Sequence, residues 1–238
     1  MPTSTPMRPH ELGRRLDVGE WVFDVRDPRS FAEEHLYGTV NVTVPQLTHL
    51  VGVLPAGAPF SVIGGTAHEL DEALDRLAVL GLTPRETAVG RPADLGPALA
   101  TYPRVTFRDL VRARRETNSR QDPAGRGWDD EPVRRAVVVD ARDAAEYARG
   151  HLRGAVHAPL RPGTSMIREG LPGRIRRPLR KTLPLPTAGT RLWVHCADGT
   201  RASVAAGLLE RAGHEVAWLD DDLETACRDG VLRLTSLF

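Results

Sequence analysis

The chain has 238 residues, enough for one large domain or two small ones at roughly 100–200 residues each. Its 41% hydrophobic and 26% charged residues exclude wholesale disorder. With 32 basic against 31 acidic side chains the net charge is +1, which excludes a strong overall field for nucleic acid or an anionic membrane, and neither is expected as a partner.

The first ten residues are rich in proline and threonine without an apolar stretch, so they do not read as a secretory signal. No apolar run approaches the ~18–20 residues of a bilayer span. The two cysteines, Cys196 and Cys227, make no disulfide framework, and the cytoplasm is the expected compartment. They make no zinc site, no histidine pair has ligand spacing, and no glycine-rich nucleotide loop is present, so no metal or cofactor is expected.

A strand is expected over 21–24, a second over 61–63 and a helix over 69–80. The plan then recurs. Val22-Phe23-Asp24-Val25-Arg26-Asp27 reads like Val138-Val139-Asp140-Ala141-Arg142-Asp143. From 24 to 41, eight of eighteen positions are identical at an offset of 116. A period this long marks a duplicated domain rather than a solenoid unit of ~20–50 residues. The second landmark, Ser61-Val62-Ile63 before Gly64-Gly65, matches Trp193-Val194-His195 before Cys196 at an offset of 132. The second copy therefore holds about 16 extra residues between the landmarks, expected over 161–187. The seam is expected near 96–102. In the second copy, strands are expected at 137–139, 192–194 and 216–219. A short helix should fill 143–149, and a longer one 202–211 with an apolar face at Ala205, Leu208 and Leu209, stopped by Gly213. Short strands alternating with helices imply an α/β fold, with each copy a parallel sheet flanked by helices. The predicted domains are 1–100 and 101–238.

The loop Cys196-Ala197-Asp198-Gly199-Thr200-Arg201 carries the candidate chemistry. A cysteine between a buried strand and a helix N-terminus, in a short loop with glycine, sits where several main-chain N–H groups converge. Its thiol is expected to have a lowered pKa and to be nucleophilic. Arg201 adds a planar fork of donors that can grip an oxyanion in two places. Asp198 puts a carboxylate in an anion-binding loop, turned to solvent or tuning the donor. Cys227 lacks such a loop and reads as a small buried hydrophobe.

The six residues Cys196–Arg201, with the upstream Asp140-Ala141-Arg142 through Gly150-His151-Leu152-Arg153-Gly154-Ala155, resemble the active loop and signature of tandem, two-domain rhodanese-like sulfurtransferases. The first copy carries a version of the signature from Asp24-Val25-Arg26 to Asn41. The resemblance implies two tandem rhodanese-like domains and a sulfurtransferase. Cys196 would take a sulfane sulfur from an anionic donor such as thiosulfate or 3-mercaptopyruvate, and hand it from a persulfide to cyanide or a thiol. Residues 197–201 would bind substrate, with Arg201 orienting the donor's oxyanion or pairing with acidic groups that shape the loop, and Asp140 and Arg142 would support the loop. Cysteine phosphatases of this fold have five residues between Cys and Arg. Here there are four, which puts a phosphatase or arsenate reductase behind sulfur transfer. A non-catalytic binding or regulatory module is the other alternative. Gly64 stands in place of Cys196 and Glu69 in place of Arg201, so the first copy is expected to be inert. His151 and His195 read as packing histidines. Seven basic residues against Glu169 over 161–181 form a candidate rim for anionic donors or an acidic acceptor protein.

Overall fold

The structure is a computed structural model that describes residues 5–6, 9–50, 54–55, 57–119, 137–160 and 191–236. The basic stretch 161–181 lies outside the described residues. Twelve strands among the described residues are β1 (Thr5–Pro6), β2 (Trp21–Asp24), β3 (His35–Leu36), β4 (Val40–Asn41), β5 (Phe60–Gly64), β6 (Glu86–Val89), β7 (Leu99–Ala100), β8 (Arg104–Val105), β9 (Val137–Asp140), β10 (Val156–His157), β11 (Leu192–His195) and β12 (Val216–Leu219). The helices are α1 (Pro9–Asp17), α2 (Pro28–Glu33), α3 (Ala67–Val79), α4 (Pro92–Leu95), α5 (Phe107–Ser119), α6 (Ala144–Arg149), α7 (Thr200–Arg211) and α8 (Leu223–Arg228), with a 3₁₀ helix at Val44–His49.

Ten of the strands form two five-stranded parallel sheets of the same order, β4-β2-β5-β6-β1 and β10-β9-β11-β12-β8, while β3 and β7 pair antiparallel. The fold is α/β, with parallel sheets flanked by helices. The central strands read as continuous apolar runs because both faces are covered. Val22, Phe23, Val62, Val138, Val139 and Val194 are all buried. The edge strands β1, β4, β8 and β10 are two residues long, too short to carry the period by which strands are read from sequence.

The repeat extends to individual hydrogen bonds. Arg26 Nη2 bonds Asp24 Oδ2 at 2.7 Å and the Glu34 carbonyl at 2.8 Å. Arg142 Nη2 bonds Asp140 Oδ2 at 2.7 Å and the Gly150 carbonyl at 2.7 Å. His35 stacks on Phe31, and His151 stacks on Tyr147. The caps correspond as well. Asp27 accepts from the Arg29 and Ser30 amides at the start of α2. Asp143 and Glu146 make a reciprocal capping box on α6, which satisfies amides that the first turn leaves without partners.

Helix α7 departs from the expected half-buried face. Every residue from 202 to 210 is buried, because the helix of the second sheet also lies on β4, the edge of the first. The Ser203 hydroxyl donates to Asn41 Oδ1. The Glu210 carboxylate lies 3.1 and 3.3 Å from His35 Nε2 and accepts from the Gly38 amide at 3.3 Å. Arg211 caps the contact by donating to the Gly38 and Gly19 carbonyls, with its guanidinium 4.6 Å from the Trp21 ring centre. One apolar cluster accordingly runs through both sheets, from Phe23 and Val62 to Val139, Val194 and Cys196. No helix among the described residues is long and apolar enough to cross a membrane.

Gly207 is the point of closest approach. A Cβ there would lie 3.0 Å from Val40 Cα and 3.2 Å from the Thr39 carbonyl oxygen, both main-chain atoms. Overpacking of this kind costs about 1–3 kcal/mol. Gly207→Val is expected to lower unfolding stability by about that amount, read as a lower denaturant midpoint with an unchanged m-value.

Candidate active site

Asp140 and Arg142 shape the floor beneath the candidate loop. Asp140 is fully buried, at the end of β9. Arg142 donates to it through Nε and Nη2 at 2.7–3.1 Å. A buried pair this well bonded is costly to break, by about 3–5 kcal/mol when one partner is lost. The Ala141 amide donates to the His195 carbonyl at 2.8 Å and ties this turn to the end of β11.

His195 is buried, as expected of a packing histidine. Its Nδ1 donates to the Cys196 carbonyl at 3.0 Å, and its Nε2 stands 3.5 Å from Asp140 Oδ2 without a hydrogen bond. Burial lowers its pKa, which favours the neutral imidazole. His151 donates from Nδ1 to the Tyr147 carbonyl at 3.0 Å.

The loop turns between β11 and α7. Gly199 has φ +88°, and a Cβ there would lie 3.3 Å from the Leu219 carbonyl oxygen, so both backbone and space call for glycine. Trp218 Nε1 donates to the Gly199 carbonyl at 2.9 Å and pins the turn to β12. The Leu223 amide donates to the Ala197 carbonyl at 2.8 Å, and Asp222 caps α8 through the Thr225 amide at 2.6 Å. Trp218 and the Leu223 amide hold the loop from another strand and helix. Their part in it was not legible in the sequence.

The Cys196 side chain is fully buried, and the Asp198 and Ala202 amides donate to its sulfur. The main-chain cradle expected from the motif is present. The expected lowering of the thiol pKa is not. Burial pushes the thiol up, and this outweighs the two amides, with the Asp198 charge raising it further and Arg201 opposing. The resting group is the thiol, whose S–H points to Asp198 Oδ1 at 3.5 Å. Asp198 is exposed to solvent, and its Oδ1 at the same time accepts from the Cys196 S–H. Burial works against its ionisation, but the Thr200 hydroxyl and amide, at 2.7 and 3.1 Å, hold its carboxyl below the usual range.

Arg201 takes the second of its two expected roles. Its Nη1 and Nη2 donate to the two carboxylate oxygens of Glu146 at 2.6 and 2.8 Å. Arg201 is thus paired with an acid that shapes the loop. The capping spacing of Asp143 and Glu146 is visible in sequence, but the reach of Glu146 across 55 residues to Arg201 is not. The Arg201 bond holds the Glu146 carboxyl down to about 2.

The first copy departs from expectation in register. Its helix begins at Ala67, one residue earlier relative to the strand than α7 does, so Glu69 corresponds to Ala202 rather than Arg201. The Glu69 carboxylate accepts from the Gly65 and Thr66 amides at 3.0 and 3.1 Å. It occupies those amides from within, as the third residue of a capping box with Thr66. Cys227 lies outside the cradle, half-buried, with burial raising its thiol pKa. It lines a separate cavity of about 340 Å³ together with Arg142, Glu146 and Ala197.

Residues 126–227 match the rhodanese-like domain family. The chain carries a rhodanese-like domain. That domain holds β9, β11, the cysteine loop and α7. The tRNA uridine(34) hydroxylase of Bacillus velezensis is 27% identical over 199 residues, 83% of this chain and 53% of that protein. The protein of the same name from Shouchella clausii is 36% identical over 94 residues, 39% of this chain and 26% of that protein. The chain thus spans about half the length, or less, of these curated relatives. A thiosulfate sulfurtransferase from Pseudomonas aeruginosa covers 98% of this chain and 43% of its own at 20% identity, with a TM-score of 0.34.

The ion pair at the mouth of the rhodanese-like loop gives a titration. Because the folded pKa of Glu146 is depressed, its contribution to stability is present above the ordinary carboxyl value. That contribution falls away as pH drops towards about 2. Side-chain carbon NMR is expected to place the Glu146 midpoint near about 2. Arg201→Met is expected to return it towards the ordinary glutamate value of about 4.3.

Proposed function

We propose that this protein is a sulfurtransferase that carries a sulfane sulfur as a persulfide on Cys196, with the second copy catalytic and the first an inert scaffold. The observation that carries this reading is the buried sulfur facing the Asp198 and Ala202 amides at the head of α7. A persulfide formed there would put an anionic terminal sulfur where main-chain dipoles favour negative charge.

The cycle has two halves. After Cys196 loses its proton, the thiolate attacks the outer sulfur of the donor, and the donor's sulfur bond breaks with its electron pair on the leaving group. With thiosulfate the leaving group is sulfite; with 3-mercaptopyruvate it is pyruvate, released as the enolate and then protonated. A nucleophile such as cyanide or a thiol then attacks the terminal sulfur and restores Cys196. A covalent intermediate between two half-reactions predicts ping-pong kinetics. The burial that raises the thiol pKa makes this deprotonation a step the site must assist.

A second reading follows from the curated relatives, whose names give uridine 34 of tRNA as the substrate over a match of 199 residues. In that reading Cys196 serves a reaction on a tRNA uridine. Loss of a tRNA modification in a strain lacking the protein, restored by the wild type and not by Cys196→Ser, would favour it.

Incubation with a sulfane donor is expected to add about 32 Da to the wild type and nothing to Cys196→Ser, as a persulfide requires. Subsequent cyanide should remove the added mass as thiocyanate. No adduct with any sulfane donor would leave a binding or regulatory module as the better reading. Cys196-dependent hydrolysis of an aryl phosphate would favour a phosphatase.

A further inference from the structure

The central strands β5 and β11 end differently. In the first copy β5 runs on through Gly64, which pairs with Val89, and the Gly90 amide donates to the Gly64 carbonyl at 3.1 Å. In the second copy β11 stops at His195, and its pairing with β12 ends at Val194 opposite Trp218. The corresponding bond, from the Asp221 amide to the Cys196 carbonyl, is not made. The Cys196 carbonyl accepts instead from Nδ1 of His195 at 3.0 Å. Ile63 pairs with Asp24 as His195 pairs with Asp140, so it stands in the place of His195 and has no side-chain donor to offer.

A carbonyl oxygen only accepts, so the proton of the neutral ring sits on Nδ1. The ring is fully buried, edge-on to Phe107 with centroids 5.6 Å apart. The charged groups around it are Asp140 of β9, Arg142 in the turn that follows, and Arg114 of α5. Its Nε2, 3.5 Å from Asp140 Oδ2, has no hydrogen-bond partner among the described residues. A buried polar atom left unpaired is destabilising, and Ile63, itself buried, shows that the scaffold accepts an apolar side chain at this register. Packing alone therefore does not account for the imidazole, whereas its bond to the Cys196 carbonyl does.

That bond acts on the Ala197 amide. A trans peptide is planar, so the Ala197 N–H points opposite to the Cys196 carbonyl. A carbonyl that accepts a hydrogen bond also makes the N–H of its own peptide a stronger donor. In the first copy the amide at this position, that of Gly65, points at an anion, the Glu69 carboxylate at 3.0 Å. In the second copy Ala202 takes the helical position of Glu69, and the Asp198 and Ala202 amides already face the Cys196 sulfur. We propose that His195 is a positioning residue for sulfur transfer: in place of the missing ladder bond it holds the Cys196–Ala197 peptide so that the Ala197 amide is a third donor to the sulfur on Cys196. The role in transfer rests on the persulfide reading of Cys196, but the amide acts on the thiolate whether or not sulfur is carried.

The test uses the full chain with Cys227→Ser, which leaves Cys196 as its one thiol. It reads the pH dependence of Cys196 alkylation by iodoacetamide, and persulfide loading from thiosulfate and 3-mercaptopyruvate as a gain of about 32 Da. His195→Leu removes the donor. His195→Asn keeps one, because its amide nitrogen branches from Cγ as Nδ1 does. Losing a hydrogen bond to an ionised sulfur disfavours the thiolate. His195→Leu is therefore expected to raise the alkylation midpoint by about one pH unit or more and to cut kcat for loading about tenfold. His195→Asn is expected to keep the wild-type midpoint and a kcat within about threefold. An unchanged midpoint in His195→Leu, or an equal rise in both variants, overturns the proposal. If His195→Leu does not fold, His195→Asn and side-chain nitrogen NMR of the wild type decide. A raised midpoint in His195→Asn, or a His195 proton on Nε2 rather than Nδ1, then overturns it. Midpoints that move as expected with no persulfide from any donor sink the sulfurtransferase reading and leave the positioning by His195 standing.

Discussion

Helix α7 is buried on every side from 202 to 210, and the placement of the candidate site follows from that constraint. Its first turn supplies the Ala202 amide that faces the Cys196 sulfur, and its later turns rest on β4 of the other sheet. Gly207 lets two backbones meet, Ser203 and Asn41 bond across the seam, and Glu210 sits against His35. Moving along the chain from 38 into β4 at 41 corresponds to moving back along α7 from Arg211 to Ser203. The 3₁₀ helix that follows β4 therefore brings His49 into the field of Arg201. The first copy, whatever its own chemistry, helps set the position of the loop in the second.

The two strand-to-helix loops show how one scaffold yields opposite sites. In the first, Glu69 turns back and binds the Gly65 and Thr66 amides, so the anion hole is filled from within. In the second, the corresponding helical position is Ala202, which has no side chain to do this, and the amides remain for the Cys196 sulfur. Acids are still close by, but each is engaged at a distinct place. Glu146 is on Arg201, Asp222 is on the first turn of α8, and Asp198 is on Thr200 beside the sulfur. The thiol is consequently cradled by dipoles yet kept protonated by burial. It has a proton acceptor in contact, where a site that relied on resting thiolate would need none.

The repeat was legible in sequence because the bonds that hold it are local. Asp24 with Arg26, and Asp140 with Arg142, are two residues apart, and each arginine reaches a carbonyl eight residues on. Such contacts demand fixed residue types at fixed spacing, and those types recur at an offset of 116. The strand, loop and helix around Cys196 were legible for the same reason. The register of Glu69 was not, because a loop shorter by one residue cannot be seen until the helix start is known.

By itself the sequence determined the α/β class, the duplicated signature, and the cysteine loop between a buried strand and a helix, since these depend on apolar runs and short-range spacing. Only the tertiary structure decided the charge of the site. The pairing of Arg201 with Glu146 spans 55 residues, the sheathing of α7 by β4 spans more than 160, and burial of the sulfur depends on both sheets at once. Electrostatic energy depends on distance and solvation in space rather than along the chain, so a motif that announces an anion-binding cysteine can fold into a site with a protonated thiol and a spent arginine.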